Sequence, residues 1–185
     1  MSNIVVITDS SCDYSPEQAL EAGFSMVPLT ISFEEEQFLE GLELTPSQFY
    51  RRLAKTDCLP KTSQPSPELF MSVFRKYSDA EHIICVTISS GLSGTVRSAS
   101  LAASLLEEQG FAPKVHVIDS YNGCAATGLM AETAARMAQA GASIDEILAR
   151  METMQHTVGI YFVPDTLEYL RRGGRIGNVR AAGGS

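Results

Sequence analysis

Apolar and polar positions along this chain of 185 residues fall into two alternating periods. Five short β-branched runs, at residues 4–8, 25–29, 83–88, 115–118 and 159–163, read as strands. Helical patterns with recognisable starts lie among them. Thr45-Pro46-Ser47-Gln48 has capping-box spacing with Pro at the first helical position, which predicts a helix to about residue 55. Ser66-Pro67 opens a second through residue 77, and a small-residue segment, 98–106, reads as a third. Ser143, with Glu146 three residues later, opens another that ends near residue 156. Asp165 is expected to cap a short helix over 166–172, which Gly173-Gly174 terminates.

Strands that alternate with helices predict an α/β fold: a largely parallel sheet with helices on both faces. The Glu34-Glu35-Glu36 run reads as a solvated turn after the 28–33 segment. Residues 57–67 form one long irregular connection of Thr, Ser and Pro, and a connection of that length is often functional. Residues 1–177 are expected to make one domain. The stretch 178–185 has too little apolar content to close a core and reads as a linker.

Hydrophobic residues at 44% and charged residues at 19% are ordinary for a globular protein. No apolar run approaches the roughly 20 residues of a spanning helix, so no transmembrane segment is expected. Met1-Ser2-Asn3 carries no basic segment, so no signal peptide is expected and the cytoplasm is the default location. The net charge of -8 argues against nucleic acid or an anionic membrane surface as a main partner. Cys12, Cys58, Cys85 and Cys124 form neither a CxxC pair nor a metal-ligand spacing, and no metal is expected.

In open α/β sheets, ligands bind at the carboxyl ends of the strands. Those ends run here into Thr8-Asp9-Ser10-Ser11, Ser89-Ser90-Gly91-Leu92-Ser93-Gly94-Thr95 and Asp119-Ser120. With Lys61-Thr62-Ser63-Gln64 they gather hydroxyls and two carboxylates on one rim, although Ser, Thr and Asp also cap helices and fill turns. The 89–95 loop, between strand and helix, aims backbone N–H groups at one point and suits an anion. Yet between Lys76 and Arg97 the only Lys, Arg or His is His82, at the far end of its strand.

Catalysis lacks its parts. No histidine is placed to activate a serine: His82 is expected on the opposite rim, His116 mid-strand and His156 near a helix end. Gly91-Leu92-Ser93-Gly94 is not a nucleophile elbow, and no Gly-Lys pair makes a P-loop. Asp9 has Ser11, not a second acid, two residues on. The pattern points to holding a ligand, with no enzymatic activity and no cofactor.

These residues resemble the DegV family of bacterial fatty-acid-binding proteins. The matching pieces are Thr8-Asp9-Ser10 with Val27-Pro28-Leu29, Lys61-Thr62-Ser63-Gln64-Pro65-Ser66, the 89–95 loop, and the run from Leu167 through Arg171-Arg172-Gly173-Gly174-Arg175-Ile176, with Asp119-Ser120 a weaker fifth. The resemblance implies an N-terminal α/β lobe, a second C-terminal lobe, and an acyl chain buried between or beneath them. It implies that Thr62 and Ser93 bind a lipid carboxylate, with Ser63, Ser90, Gly94, Thr95, Asp9 and Ser10 as supporting turn and rim. It further implies presentation of the carboxylate to a separate fatty acid kinase, with Arg172 and Arg175 as a candidate partner interface.

Family members continue into a second lobe that carries a His near the headgroup and much of the tunnel. The surface left bare here predicts a homodimer. Two other readings stay open: a phosphate- or small-anion-binding enzyme domain using the 89–95 turn with Asp9 and Asp119, and a lobe with no ligand.

Overall fold

The structure, a computed structural model, describes residues 3–56, 58–163 and 165–175. Four parallel strands form its centre: β1 (Ile4–Asp9), β2 (Ser25–Val27), β6 (His82–Thr87) and β7 (Lys114–Asp119), in the order β2-β1-β6-β7. Each is short and apolar because both faces are covered. On one face Val6, Ile84, Val86 and Ile118 pack against α5 (Cys124–Gln139) and α6 (Ile144–Thr157). On the other, Ile7, Val27, Ile83 and Cys85 pack against Phe70, Phe74, Ala99 and Leu106 of α3 (Pro67–Arg75) and α4 (Thr95–Glu108). Full burial of each large side chain stabilises the fold by roughly 1.5–3 kcal/mol.

Between β2 and α3 the chain builds a second, antiparallel sheet. It consists of β3 (Thr30–Phe33), β4 (Glu36–Leu39) and β5 (Lys61–Ser63), in the order β4-β3-β5. Helix α2 (Pro46–Leu53) covers it through Phe49, which packs on a small cluster of Ile31, Phe33 and Leu44. The Glu34-Glu35 turn joins β3 to β4, with Glu34 at a positive φ of 52°.

Helix starts follow the capping chemistry. The side chains of Thr45 and Ser143 accept the N3 amides of Gln48 and Glu146, whose side chains return the bond. The same box, Ser15 with Gln18, opens α1 (Pro16–Glu21), a helix the hydrophobic pattern does not announce.

Four expectations are corrected. The 159–163 run pairs with no strand among the described residues: Tyr161 is 90% and Val163 97% exposed. Its composition fits a pleated, half-buried surface, and no such surface meets it. The 57–67 connection is not wholly irregular, because Lys61–Ser63 pairs with β3. The helix expected over 166–172 is the shorter α7 (Glu168–Arg172), and Asp165 does not cap it: the N-cap is Leu167, without a side-chain cap, while Thr166 Oγ1 accepts the Glu168 amide at 3.2 Å. The helix expected at 98–106 begins earlier, at Thr95. The linker expectation for 178–185 lies outside the described residues.

Candidate functional site

The strand order puts the topological switch point between β1 and β6, where an open α/β sheet offers its crevice. Asp9 closes that gap from below. Fully buried, its carboxylate accepts the Ile88 amide at 2.7 Å and the Ser11 amide and hydroxyl at 3.1 and 2.5 Å. Burial pushes its pKa up, against the pull of those three bonds. Ser10 is likewise engaged: its hydroxyl donates to Glu40 at 2.6 Å and accepts the Leu29 amide at 2.9 Å. Both residues brace the rim, and neither lines the crevice above it.

The 89–95 loop is held by its own amides. Ser90 N–H donates to Asp119 at 3.2 Å and Gly91 N–H to Ser89 Oγ at 3.2 Å. Leu92 and Ser93 N–H both donate to the Ser89 carbonyl, at 2.9 and 3.1 Å. The sequence reading of the whole turn as an amide cradle is therefore too broad. Ser90 is exposed and Asp119 serves the turn. Gly94, at the N-cap of α4, has no side-chain cap, so the free donors lie in the first turn of that helix, where the dipole is positive. Ser93 Oγ stands there, 2.9 Å from the hydroxyl of buried Thr95.

Strand β5 reaches this helix start from the second sheet. Its register, Ile31 opposite Thr62, fixes Thr62 and Ser63, and the next residue acts as a clamp. Gln64 Nε2 donates to Ser98 Oγ on α4 at 2.8 Å. The Gln64 amide occupies the space a side chain at position 94 would fill: a Cβ there would meet Gln64 Cδ at 2.8 Å, with Oε1 closer still. Gly94 is needed for this close approach, not for its φ of −78°.

The result is a cavity of about 420 Å³ lined by Thr62, Ser63, Gln64, Ser93 and Gly94, with Leu29, Ile88 and Leu92 behind and Arg175 at its edge. A cation thus borders the cavity, brought there from far along the chain. The guanidinium of Arg175 lies against the loop, with Nε 3.5 Å from the Leu92 carbonyl, and donates to the Gly173 carbonyl at 2.6 Å. A second cavity of about 560 Å³ adjoins it and shares Thr62 and Arg175. Its walls are Phe49, Leu53, Leu59, Pro60, Tyr169 and Leu170, and its rim carries Lys61 and Arg172. A pocket of mixed lining, with hydroxyls on one side, therefore adjoins an apolar groove.

The structure brings together Thr62, Ser63, Ser93, Gly94 and Arg175, with Thr95 beneath Ser93. It sets Arg172 on the adjoining groove, Ser90 outside, and Asp9 and Ser10 below as braces. Gln64 has no role in the sequence reading, although its place in the Thr-Ser-Gln-Pro-Ser run beside a glycine-rich loop was the available signal. The groove residues of α2 were equally visible as the apolar stripe Phe49 and Leu53 of an amphipathic helix.

A family model described as uncharacterised protein, DegV family, matches residues 3–185. The chain belongs to the DegV family. It is 36% identical to Protein DegV of Bacillus subtilis over 185 residues, covering 99% of this chain and 64% of that protein. Among solved structures, it resembles a fatty acid (stearic acid)-binding protein from Eubacterium ventriosum. The TM-score is 0.88 at 32% identity, covering 98% of this chain and 62% of the other. It also resembles the Streptococcus pneumoniae Fatty Acid Kinase (Fak) B3 protein loaded with linoleic acid. There the TM-score is 0.70 at 31% identity, covering 84% of this chain and 54% of the other. The chain spans less than two thirds of each of these DegV-like proteins, which share its α/β architecture. No helix among its described residues is long and apolar enough to cross a membrane.

Proposed function

We propose that this chain carries the headgroup half of a long-chain fatty-acid site. The carboxylate sits between the Thr62 and Ser93 hydroxyls at the start of α4, with Arg175 at its flank. The acyl chain runs along the groove of Phe49, Leu53, Leu59 and Leu170. The observation that carries this reading is that the two cavities share Thr62 and Arg175, one bearing the Thr62, Ser63 and Ser93 hydroxyls and the other mainly apolar. Charge-assisted hydrogen bonds contribute about 1.5–3 kcal/mol each. Each buried CH₂ adds about 0.8 kcal/mol, so the chain supplies most of the affinity and the headgroup sets orientation. The fatty-acid-binding proteins that share the fold support the same class of ligand.

The site does not transform what it holds. Its hydroxyls have no histidine among the cavity's lining residues, and the rim carboxylates Asp9 and Asp119 serve the turns. A held carboxylate at an open rim suits transfer to a partner, and we assign that partner as a cytoplasmic fatty acid kinase docking on Lys61, Arg172 and Arg175. We read residues 1–177 as one lobe, with the remaining tunnel wall in the part of the longer relatives that this chain does not span.

Native mass spectrometry, followed by organic extraction, tests the reading. We expect a co-purified long-chain acid, lost or strongly depleted in Thr62→Ala/Ser93→Ala. A bound phosphate in place of an acid would favour the small-anion enzyme reading, and equal retention by the double variant would remove these residues from the site.

A further inference from the structure

At the opposite end of the sheet, His82 opens β6 and His116 lies in β7, with Ile84 opposite it in register. His82 stands roughly 16 Å along the strand from the cavity end, at about 3.3 Å per residue. His116 Nε2 and His82 Nδ1 face each other at 3.2 Å, and both rings are half-buried. Two nitrogens bound at about 2.0–2.1 Å to one tetrahedral zinc stand about 3.3 Å apart. The spacing is thus that of two donors on a single ion.

We propose that His82 and His116 form a two-imidazole site for a divalent transition-metal ion, of which zinc is the probe. The site is independent of the fatty-acid reading. Both rings spring from adjacent parallel strands whose ladder fixes their separation, so little order is lost on binding. Of the charged side chains acting on His116, Asp145 at the start of α6 favours a cation and Lys114 opposes it. Among the described residues no third His, Cys, Asp or Glu joins the pair. Water fills the remaining positions, which makes this an exchangeable site of modest affinity rather than a structural zinc.

A hydrogen bond between the rings accounts for the same contact, and one pair of substitutions separates the two. His82→Asn and His116→Gln keep a polar nitrogen or oxygen near each facing position, so a hydrogen bond can persist while the imidazole donors are gone. Zinc chloride is titrated calorimetrically into the chelator-stripped full chain, with Cys58 and Cys124 replaced by Ser. We expect one ion per chain with micromolar affinity, weakened at least about tenfold in each single variant and absent in the double variant. No heat, or equal binding by the double variant, overturns the proposal. Should the variants fold poorly, imidazole NMR signals of the parent protein decide: zinc must move His82 and His116 while leaving His156 in place, and movement of His156 alone is contrary.

Discussion

Gly94→Ala is the most informative single change at the candidate site. The new methyl would stand 2.8 Å from Gln64 Cδ, far inside carbon contact distance. The clashing atoms end a flexible side chain, so Gln64 swings away and the backbone stays. What is lost is the Gln64–Ser98 hydrogen bond at 2.8 Å, net about 1 kcal/mol, and about 0.5–1 kcal/mol for Ala in place of Gly at an N-cap. We expect a loss of about 1.5–2 kcal/mol in urea unfolding, and a larger relative loss in fatty-acid affinity, because β5 is no longer pinned to α4. Gln64→Ala should lose about 1 kcal/mol through the same bond. In the Gln64→Ala background, Gly94→Ala should then cost only the cap, about 0.5–1 kcal/mol, a coupling of about 1 kcal/mol in the double-mutant cycle. Costs that add to within about 0.3 kcal/mol would refute the clamp.

Thiol accessibility gives a second check. Burial pushes Cys12 up to about 11 and Cys85 well above the usual thiol range, so neither should react with iodoacetamide at pH 8. Mass spectrometry should find label at Cys58 and Cys124 only until the protein is unfolded. Tyr14 donates to Glu132 at 2.6 Å, which holds the Glu132 carboxyl low and pushes the Tyr14 phenol up to about 12. The Glu132 contribution is present above the usual carboxylate range of about 4.5 and is lost as pH falls through its lowered value. Tyr14→Phe should therefore cost about 1 kcal/mol at pH 7 and flatten the acid limb of the urea-midpoint profile; an unchanged limb contradicts the bond. Exposed Tyr161, Phe162 and Val163 should support a concentration-dependent dimer in light scattering, weakened by Phe162→Ser.

The parallel core was legible because its strands are short apolar runs buried on both faces. Helix α5 was not, since its buried stripe is built of Ala126, Gly128, Ala131, Ala134 and Ala135, whose hydrophobic contrast is weak. Close packing explains those small residues: a Cβ at Gly128 would meet the Cys12 carbonyl at 2.6 Å. Strand β5 escaped notice because Lys61–Ser63 is polar and exposed, and only its pairing with β3 makes it a strand. At the site, the residues alone offered a rim of hydroxyls, and Thr62 and Ser93 were singled out among them by the resemblance of their motifs to the DegV family. The placement of Arg175 beside Leu92, 83 positions away in sequence, is a tertiary fact that no local pattern carries. The 159–163 run shows the converse: strand composition without a neighbouring edge leaves an extended, exposed segment.

The proposed site holds a fatty acid's carboxylate against Thr62 and Ser93. Carbon NMR of oleate labelled at its carboxyl carbon, bound to the full chain, addresses it directly. With the carboxylate held there, the bound resonance should be shifted from that of free oleate by hydrogen bonding, and the shift should collapse in Thr62→Ala/Ser93→Ala. A bound resonance unchanged by the double substitution, in a variant with unaltered unfolding, would contradict it.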